Sequence, residues 1–154
     1  MNKEELWQPI IDYENYYEIS NTGKVRSIIR EVIVKNKYGA ISTRKTKAKE
    51  LKPLLRGTYY IVWLCKNGKS KQFYIHRLVA ETFIENKNKL PQVNHKDENK
   101  LNNCVGNLEW CTNKYNCNYG NRNKIISIKA SKPRRKKLDK LKELKENNDE
   151  KEKQ

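Results

Sequence analysis

Short runs of hydrophobic residues alternate with polar ones in the first third of the chain, a pattern typical of β-strands. Aromatic and branched residues within positions 7–10 and 16–19 are bracketed by polar residues. The Asn-Thr-Gly turn at 21–23 precedes another such run at 24–28. The pattern predicts a small β-rich module over residues 1–52.

Two β-prone runs in the middle of the chain, residues 59–64 and 71–75, are separated by Asn67-Gly68. An Asn-Gly pair between such runs is a strong hairpin signal. Apolar residues then recur at helical spacing and predict a short helix near residues 76–84 that covers one face of the hairpin. Three large aromatic residues are expected in the core: Trp63, Phe83 and Trp110.

The pattern changes again to strand, long polar loop, strand and helix. The strands are predicted at residues 92–95 and 107–111, and Thr112 would cap the following helix. These elements belong to a predicted second module over residues 53–121. The remainder, residues 122–154, is predicted to be a basic extension that is helical or disordered.

Charge is distributed unevenly along the 154 residues, which suffice for one domain or two small modules. There are 34 Lys and Arg against 18 Asp and Glu, a formal charge of +16. Residues 31–60 carry +6, residues 91–120 are balanced and residues 121–154 carry +7. A coding bias could also raise the Lys and Asn content, but the uneven distribution favours a polyanionic partner. The basic, turn-rich stretch at 35–50 is expected to be a mobile loop or a ribbon.

No run of residues is apolar enough to span a membrane, and the N-terminus lacks a signal-peptide core. The sequence therefore predicts a cytosolic protein without a membrane partner. None of its four cysteines forms a C-x₂-C pair, so structural zinc is not expected, and a cytosolic location disfavours disulfides. We expect small buried or half-buried thiols at Cys65, Cys104, Cys111 and Cys117.

Residues 91–120, the segment without net charge, contain residue types that could catalyse hydrolysis. Hydrolysis of a phosphodiester by a small protein usually needs a base and a metal ion, and His76 and His95 are the two histidines of the chain. A packed structural role is favoured for His76, which opens the predicted helix. His95 ends a predicted strand, and the strand-loop-strand-helix order would bring Asn94 close to Asn116. Two such oxygen donors would suit a hard cation such as Mg²⁺.

Residues 93–103 (VNHKDENKLNN), 107–112 (NLEWCT) and Asn116 resemble the HNH nuclease motif of phage and intron homing endonucleases, with Asn replacing the last His. The segment IHRLVA at 75–80 looks like the one that precedes this motif. Residues 7–27 are similar to the nuclease-associated modular motif often found N-terminal to it. Two motifs stand in the order that the family has.

The resemblance implies an α+β protein with a β-rich N-terminal module, a ββα-metal (HNH) nuclease module and a basic C-terminal tail. It implies that His95 is the general base, that Asn94 and Asn116 bind one Mg²⁺ or Mn²⁺ ion, and that Asn107 fixes the loop that positions His95. Many family members have Asp where this chain has Asn94, and an amide oxygen binds a hard cation less strongly than a carboxylate. Asp97 is expected to order the loop.

The implied function is a homing-type DNA endonuclease that nicks double-stranded DNA as a monomer. It would act in the cytoplasm of a bacterial host and be encoded by a phage or mobile element. Two alternatives stay open: a DNA-binding protein that has lost catalysis, and an RNA-binding protein that uses the basic flanks. The predicted DNA contacts are Lys24, Arg26, Arg44, Lys45, Lys47, Arg56, Arg134, Arg135, Lys136 and Lys137.

Overall fold

The structure, a computed structural model, describes residues 4–121, 126–128 and 130. Within these residues the fold has many short strands and few helices. The strands are β1 (Trp7–Pro9), β2 (Tyr17–Ser20), β3 (Val25–Ser27), β4 (Glu31–Lys35), β5 (Ile41–Lys45), β6 (Lys49–Leu51), β7 (Leu54–Arg56), β8 (Tyr59–Lys66), β9 (Lys69–Tyr74), β10 (Gln92–His95) and β11 (Leu108–Cys111). The helices are α1 (Ile75–Phe83) and α2 (Asn113–Asn118), and Val105–Asn107 forms a 3₁₀ turn.

The N-terminal sheet is antiparallel, in the order β1-β2-β3-β6. Alternation along β2 turns Tyr17 and Ile19 into the interior, and Ile19 pairs with Val25 on β3. The turn between these strands needs a glycine, because Gly23 has φ of +92°. The predicted β-rich character of this segment is confirmed.

Strands β4 and β5 form a separate two-stranded ribbon, which we call the basic ribbon (residues 31–47). Asn36 Oδ1 accepts the backbone N–H groups of Tyr38 and Ala40, each at 2.9 Å, and so closes the turn. Ile33 and Ile41 are 76% and 71% exposed. Of the two alternatives for this stretch, the ribbon is the one that the structure shows.

Strands β7, β8 and β9 form a three-stranded antiparallel sheet. Asn67 and Gly68 connect β8 to β9 with φ of +52° and +74°, as a two-residue type I′ hairpin requires. The helix α1 follows β9 directly, so both the predicted hairpin and the predicted helix are confirmed. Its buried side consists of Ile75, His76, Leu78, Val79 and Ala80.

One hydrophobic core joins the N-terminal sheet to the β8–β9 hairpin and α1. Ile19 and Val25 pack in the same cluster as Val62 and Leu64 of β8. The Tyr17 hydroxyl accepts the backbone N–H of Cys65 at 3.1 Å and lies 3.3 Å from its carbonyl oxygen. The two predicted modules therefore share their interior.

Strands β10 and β11 pair antiparallel over their full length, with Asn94 opposite Glu109 and His95 opposite Leu108. These are the predicted strands. The chain divides into two units between Asn113 and Lys114, so β10 and β11 belong to the first unit and nearly all of α2 to the second. Most of the predicted extension lies outside the described residues.

The expected burial of four residues needs correction: Trp63, Cys65, Cys104 and Cys117. Trp63 is 51% exposed, because the alternation of β8 turns Val62 and Leu64 to the core and Trp63 to the opposite face. Phe83 and Trp110 do pack against the core, as expected. Of the cysteines, which are all free, only Cys111 is buried, while Cys65, Cys104 and Cys117 are exposed.

No helix among the described residues has the length and apolar character to cross a membrane.

Candidate active site

His95 is the last residue of β10 and is only 1% exposed. The three residues Val93, Asn94 and His95 are all buried, although a strand with one solvent face would bury only alternate residues. Polar side chains are buried in proteins when they find partners. The buried polar residues at the end of β10, Asn94 and His95, should therefore have hydrogen-bond partners.

The ring of His95 is fixed by a side chain of the following loop. Its Nε2 lies 3.2 Å from Oδ1 of Asn103, which is itself 6% exposed. Because an amide oxygen can only accept a hydrogen bond, Nε2 of the neutral ring carries the proton and Nδ1 has the free lone pair. Nδ1 is buried and has no hydrogen-bond partner. Nδ1 is thus the ring nitrogen that could accept a proton.

Aromatic rings surround His95 on one side. The ring centroids of His95 and His76 are 5.2 Å apart, and Tyr59 lies 4.9 Å from His76 and 6.1 Å from His95. Tyr74 lies 5.5 Å from His76. The Nζ of Lys100 is 5.6 Å from the Tyr59 ring. We call Tyr59, Tyr74, His76 and His95 the ring cluster.

The ring cluster favours neutral imidazoles. Burial lowers the pKa of His76 to about 3, with further lowering by His95, Arg77 and Lys100. Burial also lowers the pKa of His95, against the opposing effect of its hydrogen bond with Asn103. A neutral ring at physiological pH is the protonation state that a general base needs.

The loop after His95 is held by Asp97 and Asn107. Asn107 Nδ2 donates to Asp97 Oδ1 and to the carbonyl oxygen of Asn102, both at 2.8 Å, and Asn107 Oδ1 accepts the N–H of Asp97 at 3.0 Å. Asp97 Oδ2 accepts from Asn102 Nδ2 at 2.7 Å. Hydrogen bonds from Asn102 and Asn107 lower the pKa of Asp97, so this carboxylate stays charged. These contacts are those of loop-ordering residues.

Asn94 is 2% exposed, and its Nδ2 donates to Oε1 of Glu109 on the neighbouring strand at 2.8 Å. That bond fixes which end of the amide faces Glu109 and leaves Oδ1 at the other end. An oxygen donor held in this way fits a hard divalent cation. Within the described residues no group of three or more His, Cys, Asp and Glu side chains could hold a metal ion. Asn116 lies on α2, in the second unit, and its predicted role as a ligand stays a prediction.

The predicted DNA contacts fall into different surroundings. Lys24 pairs with Glu5 at 3.1 Å, and Arg26 pairs with Glu18 at 2.6 Å while it lies 4.1 Å from the Trp7 ring. Both cations are therefore already paired with carboxylates of the N-terminal segment.

Other predicted contacts project more freely. Arg44 and Lys45 are exposed on β5 of the basic ribbon, where Lys45 is 4.0 Å from Glu31. Lys47 follows β5 and is exposed, and Arg56 hydrogen-bonds to Gln72. The remaining predicted contacts lie outside the described residues: Arg134, Arg135, Lys136 and Lys137.

Sequence reasoning does not single out Asn103, Glu109 or Tyr59 as site residues. Asn103 stands in the quoted motif, eight residues after His95, but neither its spacing nor its type shows that its side chain turns back to the ring. Glu109 could be found from the sequence, because an antiparallel register places it opposite Asn94. The type of Tyr59 does not separate a DNA contact from packing.

Comparisons with known proteins identify the class to which this fold and site belong. Residues 5–65 match the NUMOD4 motif. The chain is 35% identical over 136 residues to the DNA endonuclease I-HmuI of Bacillus phage SP01, covering 82% of this chain and 69% of that protein. It is 43% identical over 122 residues to an uncharacterized HNH endonuclease of Acanthamoeba polyphaga mimivirus, covering 79% of this chain.

A solved structure gives the same result. The chain matches the structure titled "DNA binding and cleavage by the HNH homing endonuclease I-HmuI" with a TM-score of 0.56 and 40% identity, over 72% of this chain and 55% of that one. The protein belongs to the HNH homing endonuclease family. It spans 32% of the length of the mimivirus relative.

Proposed function

We propose that the protein is a metal-dependent DNA endonuclease that hydrolyses a phosphodiester bond with His95 as general base. The observation that carries the proposal is the buried, unpartnered Nδ1 of a ring whose Nε2 is held by Asn103. A base that is neutral, oriented and free at one nitrogen can take a proton from an attacking water. The family relationship supports this chemistry.

The proposed roles of the other site residues follow from their contacts. Asn94 and Asn116 would hold one Mg²⁺ or Mn²⁺ ion, with Glu109 orienting the Asn94 amide. When bound, the ion would polarise the phosphate and stabilise the leaving oxygen. Asn107, through Asp97 and Asn102, would keep the loop in the geometry that positions His95.

The substrate that we propose is double-stranded DNA. The exposed cations of the basic ribbon, Arg44, Lys45 and Lys47, would contact phosphates and release counterions. The basic extension, with Arg134 to Lys137, would add further contacts. Lys24 and Arg26 would contribute less, because each is already paired with a glutamate.

A single proposed active site in each chain supports nicking by a monomer. The phage relative supports the proposal that the protein acts in the cytoplasm of a bacterial host and is encoded by a phage or mobile element. The alternative is a DNA-binding protein that has lost catalysis, which the substitution of Asn94 for the usual Asp would favour.

The test is cleavage of a genomic DNA library by the purified chain with Mg²⁺ or Mn²⁺, followed by sequencing of the cut ends. Cleavage that requires the divalent ion and is abolished in His95→Ala supports the proposal. Tight binding to duplex DNA without cleavage, with either ion, would instead identify the protein that has lost catalysis. Preferential binding to RNA would contradict both. Gel filtration with light scattering tests the proposal that the protein is a monomer.

A further inference from the structure

We propose that Asn103 is a positioning residue for His95 and that a turn of the N-terminal sheet holds Asn103 in place. The N-terminal sheet would then contribute to catalysis as well as to DNA binding. The inference rests on the proposed role of His95 as general base.

The first observation is the bond between Asn103 and His95. Both side chains are buried, and the 3.2 Å contact joins Nε2 to an oxygen that only accepts. Without Asn103 the Nε2–H group would be left unpaired in the interior, which is costly, and the ring would turn to find another partner. The direction of the Nδ1 lone pair would change with it.

The second observation is the attachment of the Asn103 loop (residues 102–105) to the turn between β2 and β3. The N–H of Val105 donates to the carbonyl oxygen of Asn21 at 2.8 Å. The Cys104 sulfur lies 4.0 Å from the carbonyl oxygen of Thr22. At Gly23 an added methyl group would lie 2.9 Å from Cβ of Asn103 and 3.4 Å from its carbonyl oxygen. The backbone of the turn therefore packs directly against the residue that holds the ring.

The opposite side of the loop is also fixed, because Asn107 Nδ2 donates to the carbonyl oxygen of Asn102 at 2.8 Å. The Asn103 loop is thus held between Asn107 and the turn at residues 21–23. A small displacement of either support would move the base, and a misplacement of about 1 Å can reduce a rate about 100-fold.

The experiment measures single-turnover cleavage of a duplex that carries a site recovered from the genomic library, together with the Kd for that duplex. In Asn103→Leu, which is similar in size but has no acceptor, we expect a cleavage rate about 10- to 100-fold lower with an unchanged Kd. Asn103→Asp restores an acceptor at the same position and should recover most of the rate.

Gly23→Ala tests the turn. We expect it to lower the cleavage rate about 10-fold with an unchanged Kd. The matched control is Gly68→Ala: Gly68 also has a positive φ, of +74°, but an added methyl group there meets no atom within 4 Å. Equal rates in the two glycine variants would show that the contact with Asn103 does not matter.

A spectroscopic readout does not depend on any variant folding. The wild-type protein should show a slowly exchanging, hydrogen-bonded Nε2–H proton for His95 in ¹⁵N-edited NMR spectra. A wild-type His95 protonated at Nδ1 would overturn the inference. A folded Asn103→Leu protein with the wild-type rate would do the same while His95→Ala stays inactive. Wild-type cleavage by His95→Ala would instead refute the proposed function.

Discussion

The protein contains two antiparallel strand pairs that use polar residues in opposite ways. In the basic ribbon, β4 with β5, the charged side chains are exposed. The side chains of Lys45 and Glu31 are 75% and 66% exposed even though they lie close to each other. In the pair of β10 with β11, Asn94 and His95 are buried and hydrogen-bonded to side chains. Exposed charges act through the number of phosphates that they neutralise, whereas buried polar groups act through fixed geometry. Substitutions in the two pairs should therefore change different measured quantities.

The largest effect is expected from His95→Ala. Loss of a general base typically lowers a rate about 10²- to 10⁴-fold. The Kd for DNA should stay within about twofold, because the proposed phosphate contacts lie elsewhere. Cleavage and gel-shift assays on the same duplex measure the two quantities. A large rise in Kd with an unchanged rate would place His95 in DNA binding and remove the contrast between the two strand pairs.

A smaller effect is expected at the proposed metal ligands. Glu109→Ala should raise the Mg²⁺ or Mn²⁺ concentration for half-maximal cleavage about 10- to 100-fold, because the Asn94 amide would no longer have the partner that orients it. Asn116→Ala should also raise the ion concentration needed for half-maximal cleavage. Asn94→Asp should lower that concentration, because it adds a negative charge to the site.

Titration of Mn²⁺ by electron paramagnetic resonance measures the same affinity without cleavage. Glu85→Ala is the control, since Glu85 pairs with exposed Lys87 at 3.4 Å. Identical titration curves for the wild type and Asn116→Ala would refute the proposal that Asn116 is a metal ligand.

Removal of the ribbon charges should affect binding alone. In a variant with Arg44, Lys45 and Lys47 all changed to Ala, the slope of log K against log salt should fall by about 0.9 for each phosphate that is no longer neutralised, or about 2 to 3 in all. The rate at saturating DNA should not change. Lys87→Ala is the control, and an unchanged slope in the triple variant would show that the ribbon does not bind phosphates.

The smallest expected effect concerns His76, a buried polar residue without a proposed catalytic role. Burial lowers its pKa from 6.5 to about 3. Between these two pH values the unfolded chain binds a proton that the folded chain does not, so the free energy of unfolding should decrease as the pH falls from 6.5. His76→Phe should weaken this dependence, and His76→Ala should cost about 1–3 kcal/mol at pH 7.

Urea unfolding at pH 7 and pH 5 tests both expectations. His95 titrates in the same direction, so some pH dependence should persist in His76→Phe. If His76→Ala were as stable as the wild type but inactive, His76 would belong to the catalytic machinery.

The sequence predicts those parts of the fold that local rules determine. The hairpin at Asn67-Gly68, α1 and the pair of β10 with β11 follow from turn chemistry and periodicity. The exposure of Trp63 follows from the same alternation, and the prediction of a core position is wrong because it rests on residue type alone. Local rules do not show the burial of Asn103 or its contact with Gly23, because the two residues are far apart in sequence and meet only through the shared core.

That shared core limits how homologous proteins can exchange their segments. Residues such as Ile19 and Val25 are surrounded by Val62 and Leu64, so the N-terminal strands are not a self-contained cassette. A recombinant that takes residues 1–52 from one relative and the remainder from another would have to match side-chain volumes across this boundary, since mismatched cores leave cavities or clashes. The two segments are therefore expected to be inherited as one piece.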